Sequence, residues 1–321
     1  MIGAGGTIAM RGDRAAPAMD ADALVAAIPE LAGIGGLEVE SIRNVPGAAL
    51  GLDGALAVAR AARQGARDGR GVVVTSGTDT IEELAVLIDL IHDSEPPVVV
   101  TGAIRPASAT GADGPANLRD AVGVAAAPSA GGLGCVVVFG GQIHAARWVR
   151  KVDATGPTAF GSFQTGPIGW VEEGTPVILT RPSRSGAIDP AVLDARVDVI
   201  ALGLGDDGAL VGAALAGGAD GLVVVALGAG HLPPAALDAV EAAARRVHVV
   251  ATVRPERGMV LHRTYGFRGS ERDLRASGVI VAARRSAAAA RIALIAALGS
   301  GLSGERLRGV FEGDDSAPPV A

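Results

Sequence analysis

Lysine, cysteine and excess positive charge are scarce in this chain. Of the 28 basic residues among 321, Lys151 is the one lysine, and the formal net charge is −6. General nucleic-acid binding is therefore not expected, because it requires a basic face. The single cysteine, Cys135, allows no internal disulfide, which agrees with a reducing compartment such as the cytoplasm.

Long hydrophobic runs are missing as well. Hydrophobic residues make up 49% of the chain, yet glycine, proline, arginine or aspartate interrupts the apolar runs. None of them reaches the roughly 18 residues that a membrane span needs. Met1 is followed almost at once by a glycine-rich turn, without the basic start of a secretory signal. We therefore predict a cytoplasmic protein without a membrane or nucleic-acid partner.

What the chain does contain is a repeating strand–helix pattern. Short β-branched runs, such as residues 72–74, alternate with segments of helical apolar spacing, such as 81–91. This alternation predicts an α/β fold of two domains, with parallel-rich sheets flanked by helices. The polar stretch at 181–189 contains proline and glycine and is typical of a linker. The predicted organisation is a catalytic domain at 1–180, a linker at 181–196, a second domain at 197–312 and a tail at 313–321.

The turn after the strand at 72–74 carries a hydroxyl and a carboxylate, on Thr78 and Asp79. Catalytic groups in open α/β sheets lie at the carboxyl ends of strands. Asp79 therefore has two interpretations. It either caps the helix that follows or faces a cleft, where it takes part in chemistry.

A glycine-rich turn at the start of the chain leads into Thr7. The spacing of its glycines is not the full dinucleotide-binding G-x-G-x-x-G, and no helix follows immediately. The alternative is that the glycines let the backbone approach a ligand and display the Thr7 hydroxyl. A nucleotide-binding protein is therefore a hypothesis that rests on these glycines alone.

The lone lysine is the third candidate group. Because arginine fills the other basic positions, Lys151 indicates a site that needs an amine able to lose its proton; the alternative is chance retention of one surface lysine. A threonine hydroxyl is a weak nucleophile until a base takes its proton. A neutral lysine beside a carboxylate can be that base. Thr–Lys–Asp would then replace Ser–His–Asp, a set that suits amide hydrolysis.

Several motifs, in order along nearly the whole chain, resemble those of the bacterial-type L-asparaginase family. They are Ala4-Gly-Gly-Thr-Ile-Ala9, Ser76-Gly-Thr-Asp-Thr-Ile-Glu-Glu83, the segments 101–106 and 112–118, the segment 147–160 around Lys151, Gly228-Ala-Gly-His-Leu232 and Tyr265-Gly-Phe267.

The resemblance implies a larger N-terminal and a smaller C-terminal domain in a homotetramer, a dimer of dimers. It implies hydrolysis of the L-asparagine side-chain amide to L-aspartate and ammonia, without a metal or organic cofactor. Thr7 would be the nucleophile that forms an acyl-enzyme. Thr78, Asp79 and Lys151 would form a second catalytic triad. The substrate-binding residues that the resemblance implies are Gly47, Ala48, Gly77, Thr78, Asp79 and, contributed by a neighbouring subunit, Glu271.

Some positions depart from the family pattern. The segment 11–18, where the family has a lid tyrosine, contains none, and the loop Pro46–Leu50 lacks the serine that binds the substrate carboxylate. Ser76 replaces a histidine. These departures imply weaker positioning of a free amino acid and leave room for two alternatives to an asparaginase. One is an amidase for a different small amide, and the other is a catalytically impaired binding protein.

Overall fold

The structure is a computed structural model that describes residues 1–11, 16–17, 19–32, 36–184 and 186–312. The chain forms two compact units, unit 1 at 1–187 and unit 2 at 188–321. Each unit has its own parallel-rich sheet with helices, which confirms the predicted α/β class with a larger N-terminal part. The border between the units lies inside the segment predicted as a linker. The predicted tail at 313–321 lies outside the described residues.

Unit 1 is built on an eight-stranded sheet. The strands of unit 1, which also include the two-stranded sheets β2–β3 and β9–β10, are β1 (Ile2–Gly5), β2 (Met10–Arg11), β3 (Ala16–Pro17), β4 (Glu40–Val45), β5 (Val72–Thr75), β6 (Val98–Thr101), β7 (Cys135–Phe139), β8 (Gln142–Ala145), β9 (Arg150–Lys151), β10 (Phe160–Gly161), β11 (Gly169–Glu172) and β12 (Thr175–Ile178). Its helices are α1 (Ala21–Ala26), α2 (Pro29–Ala32), α3 (Gly51–Arg67), α4 (Ile81–Ile91) and α5 (Gly114–Ala126). The order in the large sheet is β12-β11-β8-β7-β6-β5-β1-β4.

The central strands of this sheet are parallel. β4, β1, β5, β6 and β7 run in one direction, whereas β8, β11 and β12 continue the sheet antiparallel. β5 and β6 are buried along their whole length, which explains their continuous valine runs. Because the parallel strands end at the same edge, the loops after β4, β1, β5 and β6 are neighbours there.

Helix α4 was predicted at Ile81–Ile91 and lies there. The sequence also predicts a strand over 37–42 and a helix over 53–67 capped by Asp53, and both starting points are wrong. Asp53 lies within the first turn of α3, which begins at Gly51, and is not its cap. β4 begins at Glu40 and not at Leu37, because the ladder with β1 starts at the pair Ile2–Glu40.

Unit 2 has a four-stranded parallel sheet in the order of the chain. Its elements are β13 (Val197–Ala201), α6 (Ala209–Ala216), β14 (Gly221–Ala226), α7 (Pro234–Ala244), β15 (His248–Val253), α8 (Glu271–Ala276), β16 (Ile280–Val281), α9 (Ala287–Gly299) and α10 (Gly304–Glu312). The Ser286 hydroxyl caps α9 by accepting the Ala289 N–H. Among the described residues, no helix has both the length and the apolar character required to span a membrane.

Candidate active site

Three glycines bring the loops after β1, β4 and β5 into direct backbone contact. Gly6 follows β1, Gly47 follows β4 and Gly77 follows β5. A Cβ atom on Gly47 would lie 2.9 Å from the Gly77 carbonyl oxygen, and one on Gly6 or Gly77 would collide with backbone even more closely. Side chains at these positions would push the loops apart. Glycine therefore brings the predicted site residues, which follow directly in each loop, to one part of the sheet edge.

Thr7 lies just after a sharp turn in β1. Gly5 and Gly6 have φ angles of 90° and 89°, which side chains rarely adopt. A single 3₁₀ turn, Thr7–Ala9, follows, and it leaves Thr7 half-buried while Ile8 and Ala9 are buried. The glycines do not lead into a longer helix whose N-terminus would hold a pyrophosphate. The turn therefore fits display of Thr7 better than nucleotide binding.

Lys151 meets both members of the β5 turn. Its Nζ donates to Thr78 Oγ1 at 3.0 Å and to Asp79 Oδ1 at 2.8 Å. The Lys151 side chain is 19% exposed, whereas the Asp79 side chain is 65% exposed. Asp79 lies in a 3₁₀ turn before α4, and no side chain caps that turn or the helix. The capping interpretation of Asp79 is therefore wrong, because its carboxylate binds the lysine.

Two residues without a role predicted from the sequence, Thr80 and Glu82, tie this group together. The Thr80 hydroxyl donates to the Gly47 carbonyl oxygen at 3.2 Å, which holds the loop after β4. Glu82 Oε2 accepts the backbone N–H of Lys151 at 2.9 Å. Burial raises the pKa of Glu82, and the Lys151 N–H and nearby Arg150 offset this in part. In the sequence, the signal for both residues is their position, two and four residues after Thr78.

The long loop after β6 is held by a second set of polar contacts. The Asp113 carboxylate accepts the backbone N–H groups of Ile104 and Arg105, at 2.9 Å and 2.8 Å. The buried Asn117 amide donates to the Gly102 carbonyl and accepts the Gly140 N–H, both at 3.0 Å. These contacts fix the backbone of the loop beside the β5 turn.

Glu271, predicted to contact substrate, lies in unit 2 and faces into that unit. Its side chain is 0% exposed, Oε1 accepts the Tyr265 N–H at 2.8 Å, and Oε2 lies 3.6 Å from His231 Nε2. Burial acts to raise the pKa of Glu271, but backbone N–H donors outweigh it and the net pKa is lowered. The rings of Tyr265 and Phe267 stand edge-on to His231. A substrate contact by Glu271 stays a prediction.

Metal ligands are not grouped in the part of the chain that the structure describes: no three His, Cys, Asp or Glu residues could hold an ion. His144 on β8 is fully buried, and its Nδ1 lies 3.0 Å from Ser162 Oγ. Burial lowers the pKa of His144 to about 4. Cys135 is buried in β7, and burial raises the pKa of its thiol.

The sequence profile of a known domain, described as "Asparaginase, N-terminal", matches residues 1–184, more than half of the chain. The chain belongs to the asparaginase family. The "Glutaminase/Asparaginase C-terminal domain" of that family matches residues 196–311. The resemblance drawn from the sequence motifs is thereby confirmed.

Asparaginase relatives match over nearly the whole chain. A probable L-asparaginase of Deinococcus radiodurans is 38% identical over 318 residues, 97% of this chain and 96% of the relative. The crystal structure of a probable cytoplasmic L-asparaginase from Campylobacter jejuni superposes with a TM-score of 0.85 at 28% identity, covering 97% of both chains. A probable periplasmic L-asparaginase of Haemophilus influenzae is 30% identical over 311 residues, 93% of this chain and 87% of the relative.

Proposed function

We propose that the chain hydrolyses the side-chain amide of L-asparagine to L-aspartate and ammonia. The observation that carries the proposal is the Lys151 amine at 3.0 Å from Thr78 Oγ1 and 2.8 Å from Asp79 Oδ1. This contact pairs a hydroxyl with an amine that can deprotonate and a carboxylate that orients the amine. The names of the family relatives supply the substrate.

In the first half of the reaction, the Thr7 oxygen attacks the amide carbon. Its proton passes to the leaving nitrogen, the C–N bond breaks, and ammonia leaves an acyl-enzyme ester on Thr7. In the second half, water attacks the ester carbon, the ester C–O bond breaks, and aspartate is released as Thr7 regains its proton. The Thr78–Lys151–Asp79 group moves these protons as the general base and acid.

Substrate binding uses the loops that meet at the three glycines. One oxygen of Asp79 binds Lys151, and the exposed carboxylate is free on its other side to hold the substrate amino group. Gly47, Ala48 and Gly77 line the adjoining loops, and Glu271 of a neighbouring copy is proposed to complete the site. We place the enzyme in the cytoplasm as a homotetramer, a dimer of dimers.

A different small amide is the second candidate substrate. Ala48 and its neighbour Ala49 are exposed in the loop after β4, and neither methyl group can bind a carboxylate. A substrate without a free α-carboxylate loses nothing at such a loop, whereas asparagine binds less firmly. This observation favours an amide without an α-carboxylate over tightly bound asparagine as the substrate. The roles of Thr7 and Lys151 are the same for both substrates.

Ammonia release tests the proposal directly. Wild-type protein is assayed on asparagine, glutamine and short β-amides, together with Thr7→Ala and Lys151→Arg. Turnover of asparagine that both substitutions abolish supports the proposal, and turnover of another amide alone selects the second candidate. If no amide releases ammonia, both candidate functions are refuted and the chain is an asparaginase-like binding protein. Light scattering of the same samples tests the tetramer.

A further inference from the structure

We propose that Glu82 is a positioning residue that fixes the backbone of Lys151 and thereby sets the distance of its amine from Thr78. This inference rests on the proposed function, because it assigns Lys151 its catalytic geometry. Glu82 does not touch the reacting atoms. It acts through one hydrogen bond, from the Lys151 backbone N–H to Glu82 Oε2, at 2.9 Å.

The need for such an anchor follows from where Lys151 lies. β9 has only two residues and pairs with the equally short β10 in a small separate sheet, outside the eight-stranded one. A lysine amine is carried on a flexible four-carbon chain. β9 does not pair with a strand of the large sheet. The position of the amine therefore depends on what else holds β9.

The ladder between β9 and β10 does not use the Lys151 N–H. Val152 N–H donates to the Ala159 carbonyl at 2.7 Å. In an antiparallel pair, N–H groups of successive residues point to opposite sides. The Lys151 N–H therefore points away from β10 and toward α4, where Glu82 accepts it.

One short segment thus holds both ends of Lys151. Thr78 and Asp79 accept the side-chain amine, and Glu82 accepts the backbone N–H of the same residue. Thr78 lies in the 3₁₀ turn that leads into α4, and Glu82 lies in the first turn of that helix, so both acceptors belong to one short stretch of chain. A misplacement of about 1 Å can cost on the order of 100-fold in rate. Losing the backbone anchor is therefore expected to lower kcat more than it raises KM.

Two substitutions separate the reach of the side chain from its charge. Glu82→Gln keeps an acceptor oxygen at the same length and removes the charge. Glu82→Asp keeps the charge and shortens the side chain by one methylene, so that the oxygen no longer reaches Lys151. We expect kcat of Glu82→Gln to stay within about threefold of wild type and kcat of Glu82→Asp to fall about 10- to 100-fold, with KM within about twofold.

Glu305→Asp is the matched control, since it makes the same shortening at an exposed acid in the first turn of another helix, α10, and is expected to retain turnover. Melting temperatures of the variants identify any that fail to fold. The reverse pattern, with Glu82→Asp active and Glu82→Gln impaired, would show a role of charge and overturn the proposal. Equal loss in Glu82→Asp and Glu305→Asp would overturn it as well.

Hydrogen–deuterium exchange of the Lys151 amide tests the anchor without any turnover. We expect this amide to exchange faster in Glu82→Asp than in wild type and in Glu82→Gln. Unchanged exchange in Glu82→Asp would refute the anchor even in an active enzyme. If wild type releases no ammonia but the exchange pattern holds, the proposed function fails and the anchor stands.

Discussion

His144 provides a test of how burial controls the pH dependence of stability. The imidazole is fully buried beside Ser162, and its pKa is lowered to about 4 from the usual 6.5. Between these values the unfolded chain binds a proton at this residue, but the folded chain does not. Stability from this residue is therefore complete above about pH 6.5 and is lost as the pH falls toward 4.

The magnitude follows from the shift of the pKa. Each unit corresponds to about 1.4 kcal/mol, so the whole window is worth about 3 kcal/mol, of which about 2 kcal/mol is lost by about pH 5. Below about pH 4 both states bind the proton and the loss stops. His144→Gln removes the titrating group and keeps a side chain of similar size that can bond to Ser162.

The assay is equilibrium unfolding in urea at several pH values, for wild type and His144→Gln. The variant is expected to lose about 2 kcal/mol less than wild type between neutral pH and about pH 5, whatever its stability at neutral pH. His248→Gln, which removes a half-buried imidazole from β15, is the control for replacing a histidine by glutamine. Equal losses in wild type and His144→Gln would refute the reasoning.

Three further predictions concern the proposed active site. Lys151→Arg is expected to lower kcat about 100- to 10,000-fold at an unchanged melting temperature, because a guanidinium cannot act as the base; full activity would contradict the assignment. Thr80→Val is expected to raise KM several-fold through the lost bond to Gly47, with Thr80→Ser close to wild type; a change in kcat alone would argue against that role. Gly77→Ala is expected to destabilise the fold by about 2 kcal/mol or more and to abolish activity, whereas Gly212→Ala, in open space on α6, is expected to be neutral or slightly stabilising; similar melting temperatures would contradict the glycine contact.

The candidate site shows which functional features a local sequence pattern can predict and which it cannot. The residue types at Thr7, Thr78, Asp79 and Lys151 could be selected from the sequence, since each stands in a turn or is chemically exceptional. The choice between a cap and a catalytic carboxylate at Asp79 could not, because both roles use the same residue at the same place. That choice depended on a lysine 72 residues away along the chain.

Other residues carried no local signal of their role. In the sequence, Glu82 is an ordinary acidic residue in the first turn of α4. Its hydrogen bond to Lys151 depends on the orientation of β9, a two-residue strand without a clear sequence pattern. Glu271 was predicted from the family resemblance. The direction of its side chain, however, depends on contacts with Tyr265 and His231 that form when unit 2 folds. The contacts of Glu82 with Lys151 and of Glu271 with His231 join segments that are distant in sequence, so spacing cannot reveal them.

The sequence by itself determined the α/β class, the position of α4 and the family, because β-branched runs, apolar periodicity and glycine turns act over a few residues. It also determined which chemical groups are available, since the one lysine and the two turns that carry Thr7 and Thr78 can be identified directly in the sequence. Only the tertiary structure decided how these groups meet. The parallel order of β4, β1, β5 and β6 brings their loops to one edge, and Gly6, Gly47 and Gly77 let those loops touch. Lys151 then finds Thr78 and Asp79 because α4 also holds its backbone through Glu82, a contact that exists only once the chain has folded.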